Sequence, residues 1–135
     1  DLFFSGNEAP NRLYLNKGNL QFEDISEKAG INQNKKWAMG ATMADVNGDG
    51  WLDIYVGQAG PYTDANDRKN LLFINNGDLT FSEQAEAYGL ADGNYTTQAA
   101  FFDYDNDGDL DCYVLNESKY AGVVYQRVFE DLKQK

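Results

Sequence analysis

Two nine-residue segments of this chain share one spacing of oxygen-bearing side chains. Asp45-Val-Asn-Gly-Asp-Gly-Trp-Leu-Asp53 and Asp103-Tyr-Asp-Asn-Asp-Gly-Asp-Leu-Asp111 both read D-x-[D/N]-x-D-G-x-x-D. In such a loop the side-chain oxygens of positions 1, 3 and 5 converge on one point. Glycine at position 6 permits the sharp turn that brings the carbonyl of position 7 and the side chain of position 9 to the same point. An all-oxygen cage in a flexible loop suits Ca2+. It suits zinc poorly, and Mg2+ less well because that ion demands strict octahedral geometry.

The opening of each loop resembles an EF-hand, but its end does not. An EF-hand closes with a bidentate Glu at position 12 and lies between helices; here position 12 is Val56 or Val114. Position 9 is followed by Ile54-Tyr-Val56 and Cys112-Tyr-Val114-Leu115, and position 1 is preceded by Ala41-Thr-Met-Ala44 and Ala99-Ala-Phe-Phe102. These short apolar, β-branched and aromatic runs favour strands, so each loop is predicted to join two strands.

The loops sit inside a longer repeat. Asp45 to Asp103 is a step of 58 residues, and Asn11-Arg-Leu-Tyr-Leu-Asn-Lys-Gly18 matches Asn70-Leu-Leu-Phe-Ile-Asn-Asn-Gly77 at a step of 59. Leu20-Gln-Phe22 likewise matches Leu79-Thr-Phe81, and Glu27-Lys-Ala-Gly-Ile31 resembles Glu86-Ala-Tyr-Gly-Leu90. Repetition at this period points to repeat architecture. Each unit reads as four short strands: near 37–44 and 97–102, then 53–57 and 111–115, then 11–16 and 70–75, then 20–25 and 79–85. The Asn76-Gly77 pair predicts a type I′ turn, in which both central residues need positive φ. Four-stranded units of this length form the blades of β-propellers.

With these motifs the chain resembles the VCBS/FG-GAP calcium-binding repeats, whose blades also build integrin α-subunit propellers; bacterial secreted and cartilage-acidic-protein-type propellers are the nearer likeness. The resemblance implies an all-β fold, a partial β-propeller of four-stranded antiparallel blades with a calcium loop between the first and second strands. It implies two Ca2+ sites. The first would use Asp45, Asn47, Asp49, the Trp51 carbonyl and Asp53, and the second Asp103, Asp105, Asp107, the Asp109 carbonyl and Asp111. The expected organisation is an incomplete first blade over 1–31, a complete blade over 32–90 and an incomplete third over 91–135. Asp1-Leu-Phe-Phe aligns with Asp53-Ile-Tyr-Val, so Asp1 stands at position 9 of a loop. Residues 121–129 read either as a diverged strand or as a linker. About two and a quarter blades fall short of the four to eight of a closed propeller, which predicts a longer parent chain or completion by neighbouring subunits.

Composition narrows the function. The 11 Lys and Arg against 22 Asp and Glu give a net charge of −11, which argues against nucleic acid or anionic membranes as partners. No apolar run approaches the roughly 18 residues of a membrane span. There is no His to serve as general base or zinc ligand. Cys112 fills the position of Ile54 and reads as a small buried hydrophobe. Tyr55 and Tyr113 are both expected to pack between blades, and Trp51 to be exposed. The reading is a non-catalytic calcium-binding module, extracellular or at the cell surface, engaging a protein or glycan through the variable loops 58–69 and 91–96. The alternatives are the propeller of a calcium-dependent polysaccharide-active enzyme, or a subunit of a self-assembling extracellular filament or surface structure. The second loop, with one more side-chain carboxylate, is expected to bind Ca2+ more tightly.

Overall fold

The computed structural model describes residues 1–32 and 36–117. The segment 121–129, left open above between strand and linker, lies outside the described residues. The fold is all-β, built from antiparallel sheets with two short helical turns. Strands β1 (Leu2–Phe4), β2 (Arg12–Asn16) and β3 (Phe22–Asp24) form the first sheet. A four-residue helix, α1 (Ser26–Ala29), follows it. The second sheet runs β4 (Ala38–Ala44), β5 (Asp53–Gln58), β6 (Leu71–Asn75) and β7 (Phe81–Glu83), with a 3-10 turn at Ala65–Arg68 between β5 and β6. Strands β8 (Tyr95–Phe102) and β9 (Asp111–Glu117) make the third. In every sheet, strands adjacent in sequence are adjacent in space.

Alternation along the strands sorts side chains between two cores. In β5, Ile54 and Val56 join Leu13, Ile25, Ala29, Ile31 and Phe73 between the first and second sheets. Tyr55, pointing the other way, joins Leu72, Ile74, Ala85 and Ala99 between the second and third. Every residue of β5 is buried, in keeping with the apolar run Ile54-Tyr-Val-Gly57 between Asp53 and Gln58. Full burial of each large aliphatic contributes about 1.5–3 kcal/mol. The two cores stack the sheets, while the acidic loops sit at the β4–β5 and β8–β9 hairpin ends.

Three expectations are corrected. The β6–β7 connection is not a type I′ turn: Gly77 and Leu79 have positive φ, but Asn76 does not. Asn76 N–H donates to the Thr80 carbonyl, closing a three-residue loop, and Lys17 N–H to Gln21 does the same between β2 and β3. The extra loop residue shortens the fourth strand to 81–83, and to 22–24 in the first copy. Tyr113 does not repeat the packing of Tyr55: it is 59% exposed against 1%. The far face of the third sheet has no described partner, so the equivalent strand position has nothing to pack on. Cys112 is half-buried against the second core, and burial pushes its thiol pKa up.

Candidate metal centre

The two acidic loops are held by the same four backbone bonds. The position-5 amide donates to the position-1 carboxylate: Asp49 to Asp45 at 3.0 Å, Asp107 to Asp103 at 3.1 Å. The glycine amide at position 6 donates to the other oxygen of the same carboxylate, Gly50 to Asp45 at 2.8 Å and Gly108 to Asp103 at 3.1 Å. The position-7 amide donates to position 5, Trp51 to Asp49 at 2.8 Å and Asp109 to Asp107 at 3.0 Å. The position-2 amide donates to position 9, Val46 to Asp53 at 2.9 Å and Tyr104 to Asp111 at 2.8 Å. Two sequences with different residues at positions 2, 3, 4 and 7 thus fold into one scaffold.

Glycine at position 6 is left-handed in both loops, as its place in the motif requires: φ is 89° at Gly50 and 95° at Gly108. Position 4 is left-handed as well, Gly48 at 73° and Asn106 at 62°. That requirement was missed in the sequence, although Gly and Asn are the residues that tolerate it best. A second feature missed is the clamp on position 9. Asp53 Oδ1 accepts from the Asn75 amide of β6 at 2.8 Å, and Asp1 Oδ1 accepts from the Asn16 amide of β2 at 2.9 Å. The repeated Asn at the end of the third strand was its only sequence signal.

Carboxylate oxygens of Asp103, Asp105 and Asp111 all lie within 4.8 Å of one another. Among the described residues no other trio of acids lies so close; the first loop has no carboxylate in the place of Asp105. Position 3 of the first loop is the amide Asn47, whose Nδ2 donates to Asp49 Oδ2 at 2.8 Å. Asp53 is buried, and its pKa is raised chiefly by desolvation and also by repulsion from Asp49 and Asp45, despite the amide bonds from Asn75 and Val46. These donors are oxygens throughout, the set a hard cation takes.

Around the opposite hairpin ends, Arg68 ties the two variable loops together. It is buried, donates to the carbonyls of Tyr62, Asp64 and Gly93, and lies 4.4 Å from the centre of the Tyr95 ring. Trp51, 54% exposed, leans over the β6–β7 turn, its Nε1 3.2 Å from where a Cβ on Gly77 would stand.

Comparison with known proteins matches the FG-GAP-like repeat to residues 1–56 and again to 62–114. The chain belongs to the FG-GAP-like repeat family. The repeat junction spans the end of β5 and the start of the β5–β6 connection, and each match carries one acidic loop between two antiparallel strands. Cartilage acidic protein 1 of Xenopus tropicalis is 32% identical over 131 residues, which is 96% of this chain. The Mus musculus and Homo sapiens proteins of the same name are 29% and 28% identical over 99% of it. The FG-GAP-like chain spans about one fifth of the length of these curated relatives. No helix among the described residues is long and apolar enough to cross a membrane.

Proposed function

We propose that this FG-GAP-like module is a non-catalytic, calcium-stabilised portion of a β-propeller that works outside the cell, with one Ca2+ in each acidic loop. The reading rests on one observation above all: four equivalent amide–carboxylate bonds recur in both loops, and in the second the oxygens of Asp103, Asp105 and Asp111 converge. Backbone amides hold Asp45 and Asp103 in place from below and leave other lone pairs of the carboxylates free. A bound dication supplies the positive charge that this crowding of like charges lacks. Asp53 and Asp111, as first residues of β5 and β9, would transmit that stabilisation into the sheets. Millimolar extracellular calcium would fill even weak sites of this kind.

The sheets then serve as blades, and the loops 58–69 and 91–96 as the surface for a protein or glycan partner. Their bracing by Arg68 supports that assignment. A further reading, association with additional blades or with a second copy, draws on apolar side chains exposed on the outermost sheet faces: Leu2, Phe4 and Phe22 on the first, Tyr113 and Leu115 on the third. Calorimetric calcium titration of chelator-treated protein tests the main reading, with melting and sizing on the same samples. Two sites per chain and a raised melting temperature are expected. Absence of any calcium response would leave the loops as acidic turns held by their amides alone.

A further inference from the structure

The chain contains two Asn-Gly steps, Asn47-Gly48 in the first acidic loop and Asn76-Gly77 in the β6–β7 turn. An Asn-Gly step is open to an intrinsic reaction. The glycine backbone nitrogen attacks the asparagine Cγ, forming a C–N bond, and the side-chain nitrogen leaves as ammonia, taking the proton lost by the glycine amide. Water then opens the resulting succinimide at either carbonyl, giving aspartate or isoaspartate. The sequence puts both steps at equal risk. The structure does not.

At Asn76-Gly77 all three reacting groups are engaged. The attacking Gly77 N–H is donated to Asn75 Oδ1 at 2.9 Å. Asn76 Nδ2 donates to Thr80 Oγ1 at 2.9 Å, and Asn76 Oδ1 accepts from Ser82 Oγ at 3.1 Å. Attack requires the Gly77 bond to break first, because the nitrogen that must attack is held on Asn75.

At Asn47-Gly48 the nucleophile is free, since no group among the described residues accepts from the Gly48 amide. Asn47 and Gly48 are both exposed, and a Cβ on Gly48 would meet nothing within 4 Å, so the approach is open to water. Both bonds to the Asn47 amide come from Asp49, two residues on in the same loop. The Asp49 N–H donates to Asn47 Oδ1 at 3.2 Å, on the oxygen where negative charge gathers as Cγ becomes tetrahedral. Asn47 Nδ2 donates to Asp49 Oδ2, so the side-chain amide is held at both steps and the contrast lies in the attacking nitrogen, bound at Gly77 and free at Gly48. We propose that Asn47 is a site of spontaneous deamidation in the folded protein and that Asn76 is protected from it.

The products differ in consequence. Aspartate at position 47 gives the first loop the same acid at position 3 that Asp105 gives the second. Isoaspartate adds a backbone atom between positions 1 and 5 and breaks the register of the Asp49 and Gly50 amides on Asp45. The reaction needs only water as co-reactant, so it stands independently of the metal reading.

The test is peptide mass mapping, with isoaspartate-specific methylation, of the chelator-treated full chain aged at mildly alkaline pH. Conversion at Asn47 is expected to exceed that at Asn76 by about fivefold or more, the factor that corresponds to breaking one hydrogen bond. In denaturant the two sites should converge, because the locks at Asn76 are gone. The variant Asn75→Ala, which frees Gly77 N–H, should speed conversion at Asn76 several-fold in the folded chain. Equal conversion at the two sites in the native chain would overturn the inference. So would a contrast that persists in denaturant, or no response to Asn75→Ala.

Discussion

Replacing Ala38 with Ser should stabilise this protein, because two of its buried side chains wait for a hydroxyl at that position. The repeat supplies the comparison. In the second unit, Asn70 Oδ1 accepts from Gln58 N–H, and Asn70 Nδ2 donates to Tyr55 Oη and Thr96 Oγ1, each at 2.8 Å. Thr96 Oγ1 donates onward to Asn116 Oδ1, its cross-strand partner, at 2.7 Å. In the first unit Asn11 repeats the first contact, accepting from Gly6 N–H at 2.9 Å. The residues matching Tyr55 and Thr96 are Phe3 and Ala38, which carry no hydroxyl. Asn11 Nδ2 is accordingly buried without a partner, as are both amide atoms of Gln58, the cross-strand partner of Ala38.

A buried orphan polar group costs about 1–3 kcal/mol, so a serine hydroxyl accepting from Asn11 and donating to Gln58 should return about 1–2 kcal/mol. For a chain of this size that is a rise in Tm of about 3–8 °C. Threonine should do worse. The Thr96 methyl is tolerated because its neighbour is Gly57, where a Cβ would stand 2.8 Å from it. The residue matching Gly57 is Ser5, which has a Cβ. Ala38→Thr should therefore lose the gain to steric conflict, and Ser5→Gly/Ala38→Thr should regain it, giving a favourable coupling in a double-mutant cycle. Urea midpoints of the four variants decide the matter. The reasoning fails if Ala38→Ser is no more stable than the parent, or if Ala38→Thr is as stable alone as with Ser5→Gly.

Other outcomes follow from the same contacts. Asn70→Ala should cost about 3 kcal/mol by stripping partners from the Gln58 amide and two buried hydroxyls, whereas Asn11→Ala, already missing two bonds, should cost about 1 kcal/mol; urea denaturation measures both. Asp103→Ala should reduce calcium binding more than Asp45→Ala, since Asp103 belongs to the tight trio with Asp105 and Asp111, and calorimetry of each variant would refute this if the order reverses. Stability should fall at alkaline pH. Burial pushes the Tyr55 pKa up to about 12, so the folded state keeps a proton the unfolded chain has already lost. The contribution is complete below the ordinary value of 10.0 and is lost as pH rises toward about 12. Tyr55→Phe should flatten that part of the pH–stability curve, and an unchanged slope would count against it.

The sequence by itself determined the repeat, the strand order within each unit and the hairpin positions of the acidic loops. Those features are local: alternation in Ile54-Tyr-Val56, turn residues at Gly50 and Gly108, and matching runs at a fixed step each follow from neighbours a few residues away. Tertiary structure decided what depends on residues far apart in the chain. Tyr55 and Tyr113 occupy one strand position in two copies, yet only Tyr55 has a sheet to pack against: its ring meets Phe101 of the next unit and its hydroxyl donates to the Leu90 carbonyl. Asn11 and Asn70 look interchangeable in the repeat, and only the hydroxyls delivered by Tyr55 and Thr96 separate a satisfied amide from an orphaned one. The two loops share a motif, but at position 3 Asn47 donates its amide to Asp49, whereas the Asp105 carboxylate lies close to those of Asp103 and Asp111. Side-chain identity fixes the available contacts; packing between units fixes which of them are made.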